Sequence, residues 1–197
     1  MIESLKAAIT STNASETHGS AVVYYYFDFT DPSKQSSSNF LRSILAQIAL
    51  EEPRAYDIVS QLYLRCKTGQ EQPNTQDLLT SLLKGVDLFK DVYLVIDAVD
   101  ESPRDQQREG LLAVINKLCK CMNLHVAAAS REEIDIATNF GKSDIIEIEV
   151  AGSGIDSDIK GYISGQLMND MKLKKFPTQL KNEAQQVLSD KANGMYV

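Results

Sequence analysis

The stretch Val92-Tyr93-Leu94-Val95-Ile96-Asp97 is an apolar, β-branched run that ends in a carboxylate, and Asp100 and Glu101 follow closely. Such a run reads as a buried strand that delivers acids at its C-terminal end. In open α/β sheets that edge is where ligands bind. An Asp there suits a hydrated Mg²⁺ that bridges nucleotide phosphates. A second acid a few residues on can orient or polarise an attacking water. Three acids so close repel one another unless a cation or basic group lies nearby. The same acids also fit a second reading, a solvated loop that caps the helical pattern near 106–121.

The next strand pattern, 124–129, stops at Ser130-Arg131. An Arg at that edge aims a fixed positive charge at the place where phosphates would sit. Its other reading is a surface Arg paired with Glu132 or Glu133. Three cysteines, Cys66, Cys119 and Cys121, form no framework spacing, which fits free thiols and a cytoplasmic home. Cys119-Lys120-Cys121 has no second ligand pair nearby, and His18 and His125 have no Cys or acidic partner at ligand spacing.

These residues need elements to hold them. Strands are expected at 21–29, 92–97, 124–129 and 145–150, the first nearly all apolar until Asp28 and so suited to cover on both faces. Helices are expected at about 2–10, 38–50, 54–66, 75–89, 106–121, 156–170 and 178–192, with a short one from Ile134 to Phe140. The helix at 38–50 carries a stripe of Phe40, Leu41, Ile44, Leu45 and Ile48, with Ser36 to Ser38 as caps. Strands alternating with helices define an α/β class with a mainly parallel sheet. The chain of 197 residues is 43% hydrophobic and 24% charged, with formal net charge −7. That sign argues against nucleic acid as a partner, because phosphate binding needs a basic face. No apolar run approaches the roughly 20 residues of a membrane helix.

The order and spacing of several motifs resemble fungal NACHT proteins, a family also described as the nephrocystin-3-like N-terminal domain. The resemblance rests on Tyr25-Tyr26-Phe27-Asp28-Phe29, Gln35-Ser36 and the helix from Phe40 to Ile48. It continues through Val95-Ile96-Asp97-Ala98-Val99-Asp100-Glu101, Asn123-Leu124-His125, Ser130-Arg131-Glu132-Glu133 and Lys191-Ala192-Asn193-Gly194-Met195-Tyr196, nearly the whole chain. It implies a P-loop NTPase-like three-layer sandwich belonging to a STAND-type signalling switch. Such a switch binds ATP or GTP with Mg²⁺, forms homo-oligomers, and works with other domains or repeats, often ankyrin repeats, of a longer parent. Carried over by position, Asp97 becomes the Walker B acid on Mg²⁺. Asp100 and Glu101 become the further acids, with Glu101 the water-activating one, and Arg131 becomes the sensor of the terminal phosphate. Ala129 departs from the family's usual Thr and removes one hydroxyl, whereas Val99 for the usual Leu is conservative.

A second departure is larger. No Gly-x-x-x-x-Gly-Lys-Ser/Thr occurs in the sequence, and Gly141-Lys142-Ser143 has Ile136 where that motif needs its first glycine. The expectation is therefore a partial core over 1–152 that lacks the first, phosphate-loop strand, followed over 153–197 by the start of a helical region. The missing strand would lie between 124–129 and 145–150, leaving the latter either closed into the vacant slot or poorly paired. Without the loop's N–H groups and Lys, nucleotide binding by this chain is expected to be weak or absent. The alternative function is a non-catalytic pseudo-NTPase that serves as a protein-interaction module; completion by another chain is a third reading.

Overall fold

The structure is a computed structural model that describes residues 19–140, 145–148 and 153–192, with side chains at 153–156 and 191–192 left out. The helix expected at 2–10, the turn at 141–143 and the segment after 192 lie outside the described residues. The chain divides into two compact units, Met1–Ile145 and Ile146–Val197.

In the first unit, β1 (Ala21–Tyr26), β2 (Val92–Asp97) and β3 (Leu124–Ala128) form a parallel sheet in the order β1-β2-β3. Parallel neighbours need long crossovers. Those between β1 and β2 are α1 (Ser37–Glu51), α2 (Pro53–Arg65) and α3 (Thr75–Val86); α4 (Gln106–Leu118) joins β2 to β3. A short helix, α5 (Ile134–Phe140), follows β3. The α/β class and the parallel sheet are as the sequence indicates.

Helix starts follow local chemistry. Ser36 accepts from the Asn39 N–H at the start of α1, Asn74 from Asp77 N–H at α3, and Asp105 from Gln107 N–H at α4. Each satisfies an N–H that has no partner within its helix.

Strand alternation divides the sheet into two faces. Val23, Tyr25, Leu94 and Ile96 point into one core with residues of α1 to α5, including Phe40, Leu41, Ile44 and Ile48. Tyr25 and Phe27 meet Phe40 with ring centroids 5.3 and 6.1 Å apart. Val22 and Val95, on the opposite face, are buried as well. There Tyr93 stacks on His125 at 4.9 Å, and His125 Nε2 lies 2.8 Å from Asp91 Oδ1. His125 thus has an acidic partner that sequence spacing did not reveal. At the outer edge of β1, the Gln47 amide accepts from Tyr24 N–H at 3.0 Å and donates to Tyr24 C=O at 2.9 Å, as a neighbouring strand would.

One expected strand fails. Residues 145–148, the described part of 145–150, form no strand, and Ile146 is 88% exposed. Among the described residues β3 pairs with β2 alone, so no ladder reaches this segment. Alternating apolar residues hold a strand only when a partner supplies the backbone hydrogen bonds.

The second unit pairs α6 (Ser153–Asn169) with α7 (Thr178–Ala192) around buried Ile159 and Leu167. Asp170 turns the chain between them by accepting from the N–H groups of Lys172 and Leu173 at 2.8 and 3.0 Å.

Phe40 is fully buried at the junction of α1 and β1. Phe40→Ala is expected to cost about 3–5 kcal/mol in urea unfolding. Leu50→Ala, at an exposed site of the same helix, is expected to stay within about 0.5 kcal/mol.

Candidate functional site

Parallel strands place all their C-terminal ends at one edge of the sheet. Here that edge gathers the loops after Tyr26, Asp97 and Ala128. Phe27 N–H donates to Asp97 C=O at 3.1 Å, and Ala129 N–H donates to Ile96 C=O at 2.8 Å, so the register persists into the loops.

Asp97 closes β2 and is exposed. Its Oδ1 accepts from the Ala98 N–H at 2.9 Å, and Oδ2 has no partner among the described residues. Ala98 then takes a left-handed conformation, φ 54° and ψ 47°. L-residues avoid this region because Cβ crowds the carbonyl. The reversal starts a tight 3₁₀ turn over Val99–Glu101. Val99 is buried in the core, and its N–H donates to Ala129 C=O at 3.1 Å. That anchor fixes where the two following acids leave the strand end.

The two acids then diverge in role. The Asp100 carboxylate is only 7% exposed and turns to the segment after β3. Its Oδ1 accepts from Arg131 N–H at 3.0 Å, and its Oδ2 lies 3.7 Å from Arg131 Nε. Glu101 turns to the segment after β1, where its Oε2 accepts from Phe29 N–H at 3.2 Å. Gln35 fixes that segment by donating to Phe29 C=O at 2.7 Å. Asp100, Glu101, Arg131, Phe29, Gln35 and Glu133 all border one open cleft of about 340 Å³. Asp97 is not part of its wall. Asp100, Glu101 and Arg131 therefore converge, while Asp97 sits a turn back at the strand end.

Both simpler readings of these residues meet specific facts. The cap of α4 is Asp105, not one of the three acids. Arg131 pairs with Asp100 and not with its neighbours; Glu133 instead engages Arg104 and Arg108. Arg108 is the residue that the sequence reading passed over. It is 2% exposed, yet it stands on the apolar stripe of α4 with Leu111, Leu112 and Ile115. A charged residue in a helix's buried row was the available signal, since such groups are buried only with partners. The Glu133 carboxyl is held below the usual range, first by its hydrogen bond from Arg104 and then by Arg108. Asp28, beside the cleft loop, is lowered by hydrogen bonds from Thr30.

Among the described residues, no group of three or more His, Cys, Asp or Glu side chains could hold a metal ion by itself. Mg²⁺ keeps several waters and often takes only one or two carboxylates. The free Oδ2 of Asp97 fits that smaller demand.

Fold and edge together describe a parallel α/β domain with acids and an Arg at the C-terminal ends of adjacent strands. The family model described as "Nephrocystin 3, N-terminal" matches residues 2–131, and the chain belongs to that family. No curated protein matches the chain. Similar solved structures include a chain of Drosophila ORC bound to AT-rich DNA and Cdc6. It is 16% identical over 93% of this chain and 71% of that one, with a TM-score of 0.40. A chain of Drosophila ORC bound to GC-rich DNA and Cdc6 is 12% identical over 97% and 68%, with a TM-score of 0.38. Among the described residues no helix is long and apolar enough to cross a membrane.

Two outcomes are expected. Ala98→Gly removes the left-handed strain and should raise stability by about 1 kcal/mol in urea titration; a loss would contradict the strain argument. For Glu133 the folded carboxyl titrates lower than the unfolded one. Its stabilisation is therefore complete above the ordinary value of about 4.3 and is lost as pH falls through the lower folded value. Melting temperature should fall more steeply on acidification in the native chain than in Glu133→Gln.

Proposed function

We propose that this domain supplies the metal acid and phosphate sensor of a NACHT-type signalling NTPase switch. Asp97 would hold the ion through its free oxygen. Glu101 would orient the attacking water. Asp100 acts through Arg131, holding its backbone N–H and the base of its side chain so that the guanidinium stays at the cleft. The bound Mg²⁺ would neutralise charge on the phosphates of ATP or GTP. The observation that carries this reading is the meeting of Asp100, Glu101 and Arg131 at one cleft, on the loops that leave adjacent parallel strands.

Nucleotide affinity of this chain is weak in this reading. The sequence contains no Gly-x-x-x-x-Gly-Lys-Ser/Thr, and a carboxylate cannot replace a cradle of N–H groups around phosphates. Hydrolysis, switching, homo-oligomer formation and engagement of further domains belong to a longer parent. The second reading, a pseudo-NTPase that acts as an interaction module, is favoured by one fact: the Arg131 side chain has a carboxylate partner within the fold, in Asp100.

Titration with mant-ATP and Mg²⁺ is expected to give millimolar affinity or none, and saturation at micromolar concentration would overturn the weak-binding reading. With Mn²⁺ and ATP as the paramagnetic probe, amide signals from Asp97 to Glu101 should broaden before those near other exposed acids such as Asp57 and Glu183. Asp97→Asn should abolish that preference. Broadening that ignores Asp97 would remove the metal-acid assignment.

A further inference from the structure

Arg108 directs its guanidinium to two separate pieces of chain. Nε donates to Ser102 C=O at 3.2 Å and to Ser102 Oγ at 3.1 Å. One terminal nitrogen donates to the carbonyls of Asp100 and Ser102. The other pairs with Glu133 and lies 3.3 Å from Asp135 Oδ2. The two carbonyls flank Glu101, and Glu133 follows Arg131 by two positions. One buried side chain thus grips the backbone on both sides of the cleft acid and the carboxylate next to the cleft cation.

Between those segments the direct side-chain link is weaker, although the Arg131 N–H also donates to Asp100 at 3.0 Å. Arg131 is 73% exposed and its side chain meets Asp100 at 3.7 Å, so water and salt screen that pair. Arg108 is shielded from water, where each hydrogen bond counts for more and each unmade one costs more. Its planar fork also fixes direction, which a lysine ammonium on the same stem does not.

We propose that Arg108, with Glu133 as its anchor, is a positioning residue. It holds the Asp100–Ser102 loop and the segment after β3 in one arrangement, so that Glu101 and Arg131 face the same cleft before any ligand arrives. This role rests on the reading of the cleft as a nucleotide edge. The positioning itself can be measured without nucleotide.

The test is amide hydrogen exchange on the full chain, comparing the native protein with Glu133→Gln and Arg108→Lys. The Arg131 N–H, which donates to Asp100, and the Glu101 N–H, which donates to Ala98 C=O, should exchange at least about tenfold faster in both variants. Leu94 and Ile96 in β2 should keep their native protection. Glu133→Gln retains the shape of the side chain, so it decides the matter if Arg108→Lys fails to fold. Native rates at Glu101 and Arg131 in Glu133→Gln would overturn the proposal. So would an equal rise at Leu94 and Ile96, because that is general destabilisation and not positioning. Full rescue by lysine at 108 would also overturn it, since a point charge would then suffice. The Mn²⁺ and ATP measurement on the native chain stands apart: failure to broaden near Asp97 counts against the nucleotide reading alone, while the exchange rates still decide positioning.

Discussion

Parallel pairing of β2 with strands on both sides is the constraint on which everything else depends. Were either neighbour antiparallel, its C-terminal loop would leave from the opposite edge. With both parallel, three chain reversals meet beside Asp97, Tyr26 and Ala128. The crossover helices must then lie against the sheet, and α1 and α4 do so while burying the core that fixes strand register. Register matters because a slip by one residue would exchange the two faces, sending Ile96 outward and Asp97 toward the core.

At that edge the chain has a difficult task. It must end a buried strand, turn sharply, and leave carboxylates near one another without repulsion. Ala98 accomplishes the turn by accepting a left-handed backbone. Asp100 accepts from the Arg131 N–H and faces its guanidinium, and Glu101 accepts from the Phe29 N–H. Asp97 keeps its Oδ2 and Glu101 its Oε1 unclaimed among the described residues. The arrangement turns Asp100 and Glu101 toward the loops on either side and leaves an oxygen of Asp97 and one of Glu101 available.

Beneath it lies a buried cation. Removing a guanidinium from water is costly unless its donors are matched, and those of Arg108 find carbonyls, a hydroxyl and carboxylates. Such a network ties the order of the surface loops to the packing of α4. Loops that carry function are usually less stable than the elements around them. Here two of them are fastened from below.

Local chemistry was legible in the sequence. Periodicity of Phe40, Leu41, Ile44, Leu45 and Ile48 marked α1 and its buried stripe, β-branched residues marked β2 to its final Asp, and Ser36 marked the start of α1, because each signal lies within a few residues of its effect. The convergence of Asp100, Glu101 and Arg131 was suggested only through the expected fold, and tertiary structure decided its form: Asp100 toward Arg131, Glu101 toward Phe29. The pairing of His125 with Asp91, separated by 34 positions, and of Arg108 with Glu133, separated by 25, left no trace in local spacing. The segment 145–148 shows the converse, since its alternation reads as a strand although strand formation requires a ladder partner from elsewhere in space. Sequence determines what a segment can bury and how it begins and ends; which charges meet, and which extended segments find a partner, depends on distances that exist only once the chain has folded.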